Sequence, residues 1–170
     1  MDVSSAIRSK RAIRQFMNQP LPDEAIQAIL NAGRRAQSAK NMQPWHFIAI
    51  QDRQTLVALS KLGHFAGHLA GAALGVAIIT PPPEQRFSVL FDAGQSAAYM
   101  QLAAWELGIG SCLATIYEPD QARKFLGFPK DFHINIAISF GFPQNPDDIS
   151  RSPDRVGRRS WDDVVHMEIW

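Results

Sequence analysis

Basic side chains gather near the two ends of the chain, with Arg8, Lys10, Arg11 and Arg14 at one and Arg151, Arg155, Arg158 and Arg159 at the other. Guanidinium forks and an ammonium held close together bind a compact dianion, such as a phosphate monoester, through charge-assisted hydrogen bonds. Either cluster alone reads as a solvated face. Convergence of the two ends would make one anion site. Between them lies Ser38-Ala39-Lys40-Asn41-Met42-Gln43-Pro44-Trp45, where Ser38, Asn41 and Gln43 offer donors and acceptors on a loop stiffened by Pro44 and Trp45. Amide side chains presented from a rigid edge can read the uracil-like edge of a flat heterocycle. In an ordinary connection the same residues merely join two elements.

Other chemistry-bearing residues have plainer readings. His64 and His68 stand four apart, a metal-pair spacing on a helix face. No Glu follows His64, so the zinc-protease motif is missing, and a structural or solvent-facing role is the reading for both. Cys112, among apolar neighbours after Gly108-Ile109-Gly110, reads as a packed small residue rather than a nucleophile. Trp45 reads as a core anchor beside a strand and Trp105 as core or interface. No acid or base announces itself as catalytic.

The elements that must position these groups follow from patterning. A chain of 170 residues, 46% apolar and 19% charged, is read as one globular domain over residues 1–170. The net charge of +1 argues against a nucleic-acid or anionic-membrane partner. One cysteine and a charged opening without an apolar leader suggest a cytoplasmic protein. The most apolar run, Leu69 to Ile79, is interrupted by Gly71 and Gly75 and stopped by Pro81-Pro82-Pro83, too short to span a bilayer. Helices are expected from Pro20 to about Gly33, Asp52 to Leu62, Asp92 to Leu107 with Gly108 as its stop, and Pro119 to Leu126 closed by Gly127. Phe47–Ile50, Val76–Ile79 and Ile134–Phe140 read as strands, with helix favoured over Ala70–Ala73, a break near Gly75 and a loop over 143–153. About four strands with helices on both sides imply an α+β layered fold, and the absence of a third glycine in either glycine-bearing turn disfavours a Rossmann unit. The ending Val164 to Trp170 alternates like a strand able to join a partner's sheet.

Ile7-Arg8-Ser9-Lys10-Arg11-Ala12-Ile13-Arg14-Gln15-Phe16 resembles the basic RRSxRxF opening of the nitroreductase family. Ser38 to Phe47 is similar to that family's Ser-x-x-Asn-x-Gln-Pro-Trp motif. Asp92-Ala93-Gly94-Gln95 through Leu107-Gly108-Ile109-Gly110-Ser111-Cys112 resembles its central helix and following turn. Ala137 to Pro143 resembles its late strand and Gly-Tyr-Pro turn, and Arg158 to His166 its basic ending. These segments run in the family's order across nearly the whole chain, with residues 52 to 91 matched least.

The resemblance implies a three-layer α/β/α sandwich with a mainly antiparallel central sheet, assembled as an intertwined homodimer with FMN at the interface. It implies NADH or NADPH as the co-substrate and a small-molecule electron acceptor, such as a nitroaromatic, quinone or activated alkene, in a ping-pong reaction. Carried over by position, Lys10, Arg11, Arg14, Arg158 and Arg159 would hold the FMN phosphate. Ser38, Asn41 and Gln43 would surround the isoalloxazine and ribityl groups, and the backbone near Thr115 and Ile116 would present an amide to the reactive flavin nitrogen. Lys10 stands where the family has Arg and Ala12 where it has Ser, removing one forked contact and one hydroxyl from the cofactor site. Phe65, Phe87 and Tyr117 are pocket walls by family position. The alternative from another class is a flavin-binding storage or redox-sensing module without turnover.

Overall fold

The computed structural model describes residues 1–150 and 158–170. Four strands, β1 (His46–Ile50), β2 (Leu74–Thr80), β3 (Gly110–Thr115) and β4 (His133–Gly141), form one sheet in the order β1-β2-β4-β3. Every neighbouring pair is antiparallel, which is incompatible with a doubly wound parallel sheet. The helices are α1 (Val3–Ser9), α2 (Asp23–Arg34), α3 (Arg53–Ser60), α4 (Ser88–Glu106), α5 (Pro119–Leu126) and α6 (Asp147–Ser150).

Strand β2 is buried along its whole length, and its alternation serves two cores. Val76 and Ile78 face Ile29, Met100, Ala104 and Phe140 under α2 and α4. Ala77 and Ile79 face Leu56, Leu59, Leu69 and Ala137 under α3 and a 3-10 turn over Gly67–Gly71. Helices therefore cover both faces of an antiparallel sheet, the three-layer arrangement expected. Close approach of α2 to α4 depends on Gly33, since a Cβ there would lie 2.1 Å from Met100 Cε.

Several expectations need correction. Helix α4 begins at Ser88 rather than Asp92, and Gly108, with φ 71°, ends it as expected. The turn after it continues at once into β3. The break before β2 falls ahead of Leu74, while Gly75 lies inside the strand, where a Cβ would sit 2.6 Å from Leu56 Cδ2. The helix expected over Ala70–Ala73 is a 3-10 turn over Gly67–Gly71. The 143–153 loop contains the single turn of α6, and residues 151–153 lie outside the described residues. Residues 164–170 form no strand in one chain: they are turns and coil, with Ile169 81% and Trp170 99% exposed, because no free strand edge of the same chain is paired with them. Among the described residues no helix is long and apolar enough to cross a membrane.

Candidate functional site

The N-terminal basic residues are placed by backbone contacts. Asp2 caps α1, its carboxylate accepting from the Ser5 hydroxyl at 2.6 Å and from Ser5 N–H at 3.0 Å, and those hydrogen bonds hold its carboxyl below the usual carboxylate range. Trp105 Nε1 donates to Ser9 Oγ at 2.9 Å and ties the end of α1 to α4. From Lys10 the chain runs extended beside the sheet. Ala12 bridges Ser111 in parallel and Phe16 bridges Pro143, with Ile13 N–H donating to Ser111 O at 3.0 Å and Met17 N–H to Phe142 O at 2.8 Å. Residues 12–17 thus extend the sheet beyond β3 and the end of β4.

Glycine makes that seat possible. A Cβ on Gly110 would lie 2.7 Å from Ile13 Cβ, and one on Gly141 would lie 2.9 Å from the Phe16 ring. Ile13 is turned inward and buried, so by the alternation of extended chain Ala12 and Arg14 face the other way. Lys10 and Arg14 both act electrostatically on the Cys112 thiol, which places them on one strip beside β3. Burial lowers the Lys10 ammonium pKa, and among the described residues Lys10 has no ion-pair partner. Arg11 is half-buried and its Nε donates to Ser9 O at 3.3 Å. Cys112 is pushed up by burial, against the opposing pull of Arg14 and Lys10, and stays a thiol near neutral pH. The packed-residue reading of Cys112 agrees with this environment.

Beneath the strip, His68 Nδ1 lies 2.7 Å from Ser139 Oγ, and the Ser139 hydroxyl donates to Cys112 O at 3.3 Å. His68 and Ser139 therefore share one short buried hydrogen bond whose direction follows the imidazole tautomer. Burial first, and the Arg14 charge second, lower the His68 pKa, offset in part by the Leu113 backbone. His64 does not share a helix face with it. Exposed, His64 packs its ring at 4.9 Å from the Tyr117 ring.

The second constellation is the loop after α2. Ser38 Oγ accepts from Gln43 N–H at 2.9 Å, while Asn41 and Gln43 are exposed. Lys40, Asn41 and Gln43 all have left-handed φ, at 54°, 54° and 47°, a local cost of order 1 kcal/mol per residue. Trp45 is buried and stacked on Phe47, confirming the core-anchor reading.

Just past the end of β3, Ile116 N–H donates to Asn135 O at 2.9 Å and its side chain is buried. Antiparallel alternation then turns the N–H groups of Leu113 and Thr115 to the outer edge. Of the two residues expected to offer an amide, Thr115 has the outward one and Ile116 does not. Arg158 and Arg159 are exposed, and Arg159 Nη2 bonds to Asp163 O within the same tail. Among the described residues no hydrogen bond or ion pair joins either to Lys10 or Arg14. Arg151 and Arg155 lie outside the described residues. A separate apolar cavity of about 220 Å³, lined by His46, Ile48, Ile79, Phe128, Pro129 and Phe132, opens at the β1–β2 side.

Sequence reasoning missed three supports: Asp92 and Arg86, which hold the 38–44 loop, and Ser139 beneath Cys112. Each acts through a long-range contact that no local pattern announces. The described residues contain no group of three or more His, Cys, Asp or Glu able to hold a metal ion.

Comparison with known proteins bears on the whole arrangement. Residues 7–68 and 63–142 match the profile of the Nitroreductase family. A protein of Archaeoglobus fulgidus carrying the provisional name NADH dehydrogenase/NAD(P)H nitroreductase is 30% identical over 96% of this chain and 96% of its own length. The NADPH-flavin oxidoreductase of Vibrio harveyi is 27% identical, covering 88% of this chain and 70% of its own. The solved structure of an FMN-dependent nitroreductase from Clostridium difficile R20291 superimposes with a TM-score of 0.84 at 25% identity, over 99% of this chain and all of that one. With its basic segment beside β3, its strained loop ahead of β1 and its antiparallel three-layer core, this chain belongs to the nitroreductase family.

Proposed function

We propose that the protein is an FMN-dependent oxidoreductase in which hydride from NADH or NADPH passes through FMN to a small acceptor, a nitroaromatic, quinone or activated alkene, in ping-pong order. The redox chemistry is supplied by FMN when bound, and the chain supplies binding, orientation and a dry surface. The observation that carries this reading is Lys10: a partly buried cation without an ion-pair partner among the described residues, on a strip shared with Arg14. A desolvated ammonium of this kind favours an anion brought from outside, and a phosphate monoester suits it.

In this reading Lys10, Arg11 and Arg14, joined by Arg158 and Arg159, grip the phosphate. Ala12 lies against it through backbone alone. Ser38, Asn41 and Gln43 orient the ring and ribityl chain by hydrogen bonds. The outward Thr115 N–H would donate to the reactive ring nitrogen, while the Ile116 side chain is buried in the core behind it. Cys112, kept protonated by burial, presents no competing nucleophile beside the cofactor. The working unit is a homodimer. Phe87 at the N-cap of α4 and Phe91 within it are 68% and 62% exposed, and Trp161, Met167 and Trp170 of the tail 70%, 79% and 99%, surface that a second copy would remove from water.

The test is the visible absorption spectrum of the purified protein, before and after adding FMN and then NADH or NADPH under nitrogen. A protein-bound flavin band that bleaches on adding nicotinamide is expected. Failure to bind flavin in excess FMN would overturn the proposal. Bound flavin that neither nicotinamide reduces would favour the storage or sensing alternative.

A further inference from the structure

The 38–44 loop is held in a conformation that its own residues resist. Left-handed φ at Lys40, Asn41 and Gln43 is freely adopted by glycine and tolerated by Asn, while Lys and Gln pay for the contact of Cβ with the backbone. Such strain persists where surrounding structure over-determines the backbone. Beyond the loop's own hydrogen bonds, two long-range contacts hold it, and both fall on Ala39. Ala39 N–H donates to Asp92 Oδ1 at 3.0 Å, and Ala39 C=O accepts from Arg86 Nη2 at 3.1 Å. Arg86 is itself fixed, its Nε donating to Ser88 Oγ at 3.0 Å.

Asp92 is 2% exposed on a helix whose neighbouring inward residues are Ala93, Ser96 and Ala97. Its second oxygen, Oδ2, is buried without a hydrogen-bond partner. A carboxylate in such a place is unfavourable for packing alone. Its visible contact is the Ala39 amide, at the base of the loop that presents Ser38, Asn41 and Gln43.

We propose that Asp92 is a positioning residue: with Arg86 it clamps the Ala39 backbone from both sides and sets Ser38, Asn41 and Gln43 in ligand-holding geometry before the ligand arrives. The clamp converts backbone strain into preorganisation, so less order has to be imposed on binding. The inference rests on the reading of this loop as part of an FMN site, and its first readout is independent of that reading.

The experiment uses the full chain with Asp92→Ala, Asp92→Asn and Ala39→Pro. Ser38 has φ −146° and ψ 154°, which suits a residue before proline, and Ala39 opens the 3-10 turn, where proline is tolerated. Ala39→Pro therefore deletes the N–H that Asp92 accepts at a place the preceding backbone tolerates, and its ring Cδ displaces the Asp92 carboxylate from 3.0 Å. Amide hydrogen exchange of FMN-free protein reads the Gln43 N–H, bonded to Ser38 Oγ. FMN affinity is read by quenching of flavin fluorescence.

In Asp92→Ala, exchange at Gln43 accelerates by about tenfold or more while β2 and β4 amides stay protected, and the FMN dissociation constant rises by about tenfold, or about 1.4 kcal/mol. Asp92→Asn recovers both to within about threefold, because its amide oxygen still accepts. Ala39→Pro loses at least as much as Asp92→Ala, because it leaves the Asp92 carboxylate buried without a partner, and the double variant is no worse than Ala39→Pro alone, since both changes remove one hydrogen bond. Wild-type loop protection and affinity in Asp92→Ala, or losses that multiply in the double variant, would overturn the clamp. Should Asp92→Ala fail to fold, unchanged exchange and affinity in Ala39→Pro overturns it alone. If the wild type takes up no FMN while Asp92→Ala still releases Gln43, the clamp stands and the FMN assignment falls.

Discussion

The two basic ends of the chain are alike in composition and opposite in support. Lys10, Arg11 and Arg14 ride on backbone fixed to the sheet through Ile13 and Met17, with Ile13 4% exposed beneath them. Arg158 and Arg159 stand on a tail whose large apolar residues, Trp161, Met167, Ile169 and Trp170, are all exposed. A cation on fixed backbone loses little further freedom when an anion arrives. One on an exposed tail must be ordered by ligand or partner, at an entropic cost taken from the binding energy. Residue type alone therefore overstates what the C-terminal arginines contribute within one chain.

The largest effect expected from this contrast is at Gly110, which seats the N-terminal segment. Gly110→Val drives a branched side chain into Ile13, already 2.7 Å from an added Cβ. Overpacking of this kind costs about 3 kcal/mol, and relief by displacing the segment removes Lys10 and Arg14 from the strip. Denaturant titration should show that loss of stability, and FMN uptake should disappear with it. The control is Gly67→Ala, where an added Cβ meets nothing within 4 Å. A stable Gly110→Val protein that still binds FMN would show that the seat does not matter.

Next in size is the difference between the two sets of cations. Lys10→Met should weaken FMN by about ten- to a hundredfold, the usual range for one charge-assisted contact, at every protein concentration. Lys10→Arg should tighten it by restoring a fork. The double change Arg158→Ala with Arg159→Ala should weaken FMN about tenfold, and only where light scattering reads twice the mass of one chain. If these arginines complete a partner's site, dilution to single chains erases the difference from wild type. An equal loss in the single-chain sample would place them in their own chain's site and dissolve the contrast.

What the sequence revealed follows the same division between local and long-range causes. Strands β2 and β4 were legible because burial on both faces demands the apolar runs Val76–Ile79 and Ile134–Phe140, and the edge strand β1, with His46 and Ala49 exposed, because Phe47–Ile50 is a short apolar run between Pro44 and Asp52. Strand β3 was not. Its Gly110-Ser111-Cys112 start is small and polar because Ile13 packs on the missing side chain of Gly110 and Ser111 O receives Ile13 N–H. Gly75 read as a break and is instead space for Leu56. The N-terminal cations and the Ser38–Gln43 loop announced themselves by type and spacing. Their supports, Asp92 and Arg86, lie 53 and 47 residues from Ala39 and have no local pattern. The tail's alternation is real, yet a strand exists only when an edge accepts it.

The smallest expected effect concerns His68, which lies beneath the fixed strip and has no counterpart in the tail. Buried among β4 and the 3-10 turn, it shares a 2.7 Å hydrogen bond between Nδ1 and Ser139 Oγ and has its pKa lowered from 6.5 by burial and by Arg14. In the unfolded chain this imidazole takes up a proton as pH falls through about 6.5, whereas in the folded protein it resists. The unfolded state then binds more protons, so stability is fully present above about pH 6.5 and declines as pH falls from there towards the depressed folded pKa. His68→Asn keeps an amide group able to donate to or accept from Ser139 Oγ, and cannot titrate. Urea unfolding of both proteins at pH 7.5 and pH 5 should show a smaller acid loss in His68→Asn, the difference between the two slopes belonging to this one residue. Equal slopes would mean that protonated His68 is accommodated without cost, and that the Arg14 charge and the buried Ser139 contact do not oppose it.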